Sequence, residues 1–216
     1  MGVDVPKNLI YFIYYGGKLT HYHRLNLRLL NKYWSVFNGK KVVKVAVDGK
    51  AFLEPLKSLL PSDCEFEIVE NNSRLGESVH FIDSINRVKD GITFYAHCKG
   101  VSRPIWSGLD IWIEQLYKGN LDTIPDLSNR LFSGVCGKLL PCPPYVPQEF
   151  HYSGSFYWFN TEKVKARLKD YKEYEVNRYL TERFPGIMAY KSECNFAYPY
   201  SEKNLNFYEE RTWINL

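Results

Sequence analysis

His97 and Lys99 stand two residues apart in the run I-T-F-Y-A-H-C-K-G, which spans residues 92–100. Ile92, Thr93, Phe94 and Tyr95 are strand formers, and Gly100 ends the run. Side chains two apart on a strand point the same way, so His97 and Lys99 are predicted to leave its C-terminal end on one side. In open α/β sheets the crevice beyond such strand ends is where ligands sit. An imidazole and an ammonium beside a flexible glycine suit a phosphorylated ligand. A strand-capping His97 and a solvated Lys99 are the plain structural alternative.

Other pairs are less suggestive. His21 and His23 are two apart within a helical pattern, and residues at that spacing do not share a helical face, so they do not read as a metal pair. Asp110 and Glu114 are four apart and share a face, which suits a solvated helix as well as a pair of catalytic carboxylates.

The elements that position these residues alternate. Strands are predicted over 8–15, 41–47, 64–70, 92–97 and 155–159, with some strand at 131–137. Helices are predicted over 21–37, 52–60, 76–88, 106–117, 162–168 and 176–184, the last ended by Pro185-Gly186. The first strand is apolar almost throughout, as a strand covered on both faces should be. The strand–helix alternation of the first half implies right-handed crossovers and a mainly parallel sheet. The segment 120–147 is less regular and carries Pro125, Pro141, Pro143, Pro144 and Pro147, and the last thirty residues read as a tail packed across the domain.

Composition bounds the class. A length of 216 residues with 45% hydrophobic and 24% charged residues fits one folded globular domain. The aromatic share of 16%, with 17 Tyr, is high; such rings fill cores and also stack on sugars or bases. The five cysteines are odd in number and form no C-x-x-C, so neither a disulfide scaffold nor a zinc knuckle is indicated. The net charge of +4 permits attraction to phosphates without demanding nucleic acid. No apolar run reaches membrane-spanning length, and the opening M-G-V-D-V-P-K lacks a signal-peptide core, so a soluble cytoplasmic protein is expected. Pro6 also argues against myristoylation of Gly2. The absence of G-x-G-x-x-G after the first strand argues against a Rossmann dehydrogenase.

Five stretches taken in order resemble the GT-A fold of nucleotide-sugar glycosyltransferases: the opening strand through Gly17, Asp48-Gly49, N-N-S-R-L-G-E at 71–77, F-Y-A-H-C-K-G at 94–100, and H-Y-S-G-S-F-Y-W-F-N at 151–160. The likeness runs from the first strand to the helix carrying Glu182. Many GT-A enzymes end the fourth strand in Asp-x-Asp, which holds a divalent metal on the donor diphosphate. Here His97-Cys98-Lys99 stands there, similar to a less common group of polysaccharide-type transferases with His-x-Lys-Gly. The resemblance implies one α/β, Rossmann-like domain over 1–216, with a mainly parallel central sheet flanked by helices. Residues 1–100 would form the nucleotide-sugar-binding half, and 101–216 the acceptor-side half and tail.

The same resemblance implies roles. Tyr14, Tyr15, Gly16, Asp48, Arg74, Gly76, His97, Lys99 and Gly100 would meet a nucleoside diphosphate sugar donor. His151, Tyr152, Ser153, Gly154 and Trp158 would face the sugar or acceptor, with Tyr152 and Trp158 as ring platforms. Glu182 would deprotonate the acceptor hydroxyl, with Asp110 and His97 as further catalytic candidates. Each has a bland counterpart: core tyrosines, a turn-forming Asp48, a surface Arg74, buried aromatics around Gly154, a solvated Glu182. A lysine and a histidine can replace a metal at a departing diphosphate, so manganese or magnesium is not expected to be essential, although His97 with Asp48 or Asp110 could ligate one. The expected reaction is transfer of a hexosyl or pentosyl group to a saccharide hydroxyl. Transfer to a hydroxymethylated DNA base, and a non-catalytic sugar-nucleotide or carbohydrate-binding module, are the alternatives.

Overall fold

A computed structural model describes residues 5–138, 149–170, 176–197 and 200–201. The apolar opening run forms β1 (Lys7–Tyr15), buried along almost its whole length. β2 (Lys41–Val47) and β4 (Ile92–His97) are equally covered, whereas β3 (Glu65–Glu70) is partly exposed. The helices are α1 (His21–Lys32), α2 (Glu54–Lys57), α3 (Ser78–Arg87), α4 (Ser107–Leu121), α5 (Thr161–Asp170) and α6 (Leu180–Met188). The later strands are short: β5 (Phe132–Gly134), β6 (Gly137–Lys138), β7 (His151–Tyr152), β8 (Tyr157–Asn160), β9 (Cys194–Phe196) and β10 (Tyr200–Ser201).

Seven strands form a central sheet in the order β3-β2-β1-β4-β8-β5-β9. Neighbours pair in parallel except around β8, which runs antiparallel to both β4 and β5. The protein is thus α/β with a mainly parallel sheet between helical layers. β10, β6 and β7 make a second, small sheet. The central sheet draws strands from both halves of the sequence.

Two cores lie on its two faces. Leu25 and Leu30 of α1, with Trp112 and Leu116 of α4, pack on Leu9, Tyr11, Ile13 and Phe94. Phe81 and Ile85 of α3, with Leu180 and Phe184 of α6, pack on Ile10, Val42, Tyr95 and Tyr157. From β1 the chain winds outward to β2 and β3, then returns across the sheet to place β4 on the other side of β1. Strand order therefore reverses between β1 and β4, which opens a crevice beyond their C-terminal ends.

Several predicted boundaries move. The helix predicted over 21–37 stops at Lys32, and a 3-10 turn over Trp34–Val36 follows; bulky Tyr33, Trp34 and Val36 are poor helix formers in series. The helix predicted over 52–60 survives only as α2. The predicted 131–137 strand breaks into β5 and β6, which belong to different sheets, with Cys136 at φ +55° between them. Most notably, Pro185-Gly186 does not end α6. A proline inside a helix deprives the carbonyl four residues earlier of its N–H. Here that carbonyl is Thr181's, and the Tyr157 hydroxyl donates to it at 2.8 Å, so the helix continues to Met188.

Cys64, Cys98, Cys136 and Cys194 are free thiols, and no helix among the described residues is long and apolar enough to cross a membrane. Cys142, Pro141, Pro143, Pro144, Pro147, the N-terminal Gly2 and most of the expected tail lie outside the described residues.

Candidate active site

The end of β4 divides its two polar residues. His97 is the last strand residue and turns toward α3, while Lys99 lies past the strand, where alternation no longer holds, and turns toward α4 on the opposite face. The prediction that both leave on one side is therefore corrected. The cause is the turn that starts after Cys98. Buried Asn26 of α1 clamps it: the Lys99 amide donates to Asn26 Oδ1 at 3.2 Å, and Asn26 Nδ2 donates to the Lys99 carbonyl at 2.9 Å. Gly100 completes the turn at φ +83°, where a Cβ would stand 2.9 Å from Leu109 Cδ2. Only glycine meets both demands. So held, half-buried Lys99 places Nζ 4.3 Å from the Trp112 ring centroid. No carboxylate among the described residues pairs with it. A cation on an aromatic face, without an anion, is available to one.

His97 has a different setting. Its Nδ1 lies 2.5 Å from Glu77 Oε2, just before α3. The other oxygen, Oε1, accepts from the Thr181 hydroxyl at 3.0 Å. Tyr95, next to it on β4, turns its buried hydroxyl toward Glu77 without completing an aligned hydrogen bond. Burial by itself would raise the Glu77 pKa. The facing His97 charge and the hydrogen bonds outweigh that and hold it below the usual carboxylate value. Burial pushes Tyr95 well up, so it stays neutral. On its far side His97 meets the edge of Phe156 at 5.7 Å between ring centroids, and its Nε2 is buried with no partner.

The loop between β7 and β8 closes this end. Gly154 has φ +93° and Ser155 has φ +58°. A Cβ on Gly154 would press on Leu116 and Trp112 at 3.1 and 3.2 Å. The loop is held by Glu182 in the first turn of α6, whose Oε1 accepts from the Gly154 amide at 3.0 Å. The Ser155 and Thr181 hydroxyls are 3.3 Å apart, and the Ser153 amide donates to the Cys136 carbonyl at 3.0 Å. Cys136 and Ser155, the non-glycine residues with positive φ among those described, thus flank one site. Backbone strain of this kind concentrates where function over-determines geometry.

The donor-side candidates lie along the β1 and β2 ends. Tyr14 donates to Asp48 Oδ2 at 2.7 Å, and Asn71 Nδ2 donates to Oδ1 at 2.9 Å. The Tyr14 bond first, and the Asn71 bond second, lower the Asp48 pKa, and the same bond raises Tyr14's. Gly16 follows with no room to spare, since a Cβ there would be 3.1 Å from the Tyr14 hydroxyl. Tyr15 is buried and bonds the Phe52 carbonyl at 3.3 Å, so its ring belongs to the core. Gly76, at φ +59°, shapes the turn before α3, and Arg74 is exposed on that turn. Arg74, Lys18 and Lys50, one from each of three successive strand-end loops, are all exposed and pair with no carboxylate among the described residues.

Some predicted residues fall elsewhere. Trp158 is 1% exposed and its Nε1 donates to the Asn120 carbonyl. Tyr152 is fully buried and its hydroxyl donates to the Asn195 carbonyl. Neither ring offers a face to a sugar: Trp158 belongs to the core packed by α1 and α4, and Tyr152 to the core packed by α3 and α6. Exposed rings among the described residues include Phe52, Trp106 and, at the start of α6, Tyr179. His151 and Ser153 are buried. Asp110 pairs with His21 at 3.0 Å, joining the first turns of α4 and α1. His23, the other half of the rejected pair, caps α1 through Thr20.

A divalent metal does not fit these residues. No three His, Cys, Asp or Glu side chains among those described converge on one point. His97, Asp48 and Asp110 each have a different partner, so the pairing of His97 with either aspartate for manganese is not formed. Sequence reasoning missed Glu77, Thr181, Asn26, Asn71 and Trp112. Glu77 closes a stretch already singled out at 71–77, directly before the helix that leads into β4, and that place was the available signal.

The sequence matches no family model and no curated protein. Solved structures do match. A 4-diphosphocytidyl-2C-methyl-D-erythritol synthase from Anaerococcus prevotii is 10% identical, with 98% of this chain and 97% of that one covered at a TM-score of 0.50. A mannosyltransferase from Pyrobaculum calidifontis, bound to GDP-Man and Mn2+, is 11% identical over 95% of this chain and 59% of its own, at 0.43. A galactosyltransferase with donor and acceptor sugar analogues is 9% identical over 88% and 72%, at 0.42. At such identities the likeness to the synthase speaks for the fold alone, a mainly parallel α/β sheet.

Proposed function

We propose that this chain is a glycosyltransferase that moves a hexosyl or pentosyl group from a nucleoside diphosphate sugar to a hydroxyl of a saccharide acceptor. One observation carries the reading: at the strand-order reversal between β1 and β4, Lys99 holds an ammonium on Trp112 with no carboxylate partner among the described residues, and His97, two residues earlier, stands on the other face of the strand end. Cleaving a sugar–phosphate bond leaves negative charge on the departing diphosphate, and a fixed cation in a half-buried site offsets it. Exposed Lys18, Lys50 and Arg74 on the neighbouring loops draw a polyanionic donor to the same edge. Asp48, oriented by Tyr14 and Asn71, keeps acceptor capacity for ribose hydroxyls or a base. The strained 153–155 loop and exposed Trp106 are on hand for the acceptor.

The test is release of nucleotide from a panel of nucleoside diphosphate sugars, with saccharide acceptors and with either EDTA or manganese, for the wild type and Lys99→Ala. Turnover that survives EDTA and is lost in the variant supports the reading. Donor binding without turnover, with saccharides or with hydroxymethylated DNA, overturns it in favour of a binding module. Turnover only with the DNA moves the acceptor and keeps the chemistry.

A further inference from the structure

Three carboxylate or imidazole groups compete to take the acceptor's proton, and their partners separate them. Glu182 holds the Gly154 amide on Oε1, and Asp110 meets His21 with both oxygens. His97 alone has one ring nitrogen anchored and the other buried without a partner. Its anchor is a carboxylate that is itself fixed: Glu77 is 15% exposed and holds the Thr181 hydroxyl on its second oxygen. An ionised carboxylate only accepts hydrogen bonds, so Glu77 Oε2 requires the proton on His97 Nδ1. In the neutral imidazole that leaves a lone pair on Nε2. A lone pair cannot bind a phosphate oxygen, which also only accepts. It can receive a hydroxyl proton.

We infer that Glu77 and His97 form a proton-accepting dyad, with Glu77 the positioning residue that fixes the imidazole and His97 Nε2 the atom that receives the proton of the acceptor hydroxyl. The choice of substrate rests on the transferase reading; the orientation of the imidazole does not. In the reaction the acceptor hydroxyl gives its proton to Nε2 while its oxygen bonds the anomeric carbon. The bond from that carbon to the diphosphate oxygen breaks, and its electron pair leaves with the diphosphate. Glu77 stabilises the imidazolium so formed. The His97 side chain is 19% exposed, and the Phe156 ring stands roughly perpendicular to its ring.

Other titratable groups lie around this pair. Tyr95 of β4 and Tyr157 of β8 face Glu77, Glu182 of α6 faces Tyr157, and His80 of α3 stacks on Phe12, the β1 residue paired with His97. Both tyrosines are pushed well above their ordinary value by burial and stay neutral across an assay range.

The experiment has two arms. Wild-type protein with 15N-labelled histidine is examined by NMR above the histidine titration range, with His97→Asn assigning the signal among five histidines. The dyad requires the Nδ1–H form; an Nε2–H form overturns it, whatever the turnover. The second arm is the pH profile of kcat/KM. A base that must be unprotonated gives activity that falls as pH falls through the His97 titration, and His97→Asn loses about 10²- to 10⁴-fold. Glu77→Gln removes the negative charge that favours the imidazolium, so the acid limb moves to lower pH. A merely structural Glu77 lowers yield without moving the limb. Activity that falls as pH rises through the His97 titration overturns the dyad, because the imidazolium would then be the active form. If Glu77→Gln does not fold, the wild-type spectrum and profile still decide. Absence of turnover from every donor, with the Nδ1–H form present, defeats the transferase reading and leaves the dyad standing.

Discussion

Glu182 Oε1 accepts a hydrogen bond from the Gly154 amide at 3.0 Å, so the residue expected to be a base grips the backbone of a strained loop. Glu182→Gln keeps an oxygen in that place and loses only the charge. It is expected to retain the fold and most turnover. Glu182→Ala leaves the Gly154 amide without its acceptor and is expected to lose about 1–3 kcal/mol of stability. Denaturant unfolding and steady-state rates on the two variants check this. A Gln variant that folds normally yet drops about 10²-fold or more in rate would return Glu182 to the role of base.

Asn26 is fully buried and determines where Lys99 stands. It binds both the amide and the carbonyl of Lys99 and donates to the Tyr22 carbonyl at 2.7 Å. Asn26→Ala is expected to lose about 3 kcal/mol. Turnover should fall in the folded fraction as well, because the ammonium loses its fixed position over Trp112. Thermal unfolding beside donor kinetics at a temperature where the variant is folded distinguishes the two effects.

Acid stability should report Glu77. Its folded pKa lies below its unfolded value, because the facing His97 charge and hydrogen bonds outweigh burial. Its contribution is fully present above the unfolded pKa, about 4.3, and is lost as pH falls through the lower folded value. Unfolding midpoints measured between about pH 3 and pH 7 should therefore fall more steeply for the wild type than for Glu77→Gln. Equal slopes would mean that folding does not shift the Glu77 pKa.

Arg183 on α6 is 3% exposed, and its Nε and Nη1 are buried with no partner. An unpaired buried guanidinium costs stability, since desolvation is not repaid. Arg183→Met, of similar length and apolar, is expected to leave the melting temperature unchanged or raise it. A loss of more than about 1 kcal/mol would show that the guanidinium is paired in solution.

Much of the scaffold was legible along the chain. β1, β2 and β4 read as apolar runs and α1 and α3 as periodic ones, because both signals are local. Lys99 and His97 could be placed at a strand end for the same reason. What failed did so where a distant residue intervened. Pro185 reads as a helix stop, and it is the Tyr157 hydroxyl, 24 residues earlier, that satisfies the freed Thr181 carbonyl. Trp158 and Tyr152 read as ring platforms, but Trp158 packs into the core on one face of the central sheet and Tyr152 into the core on the other.

By itself, then, the sequence determined the order of strands and helices, the apolar faces, and the fact that a histidine, a lysine and a glycine follow the fourth strand. Periodicity and turn chemistry are properties of neighbours. Only the tertiary structure decided what those residues face. It sent His97 to Glu77 and Lys99 to Trp112 on opposite sides of the sheet, and it joined Thr181 to Glu77 across 104 residues of chain. A side chain's partner is set by how layers pack around the β1–β4 reversal, and no local pattern encodes that.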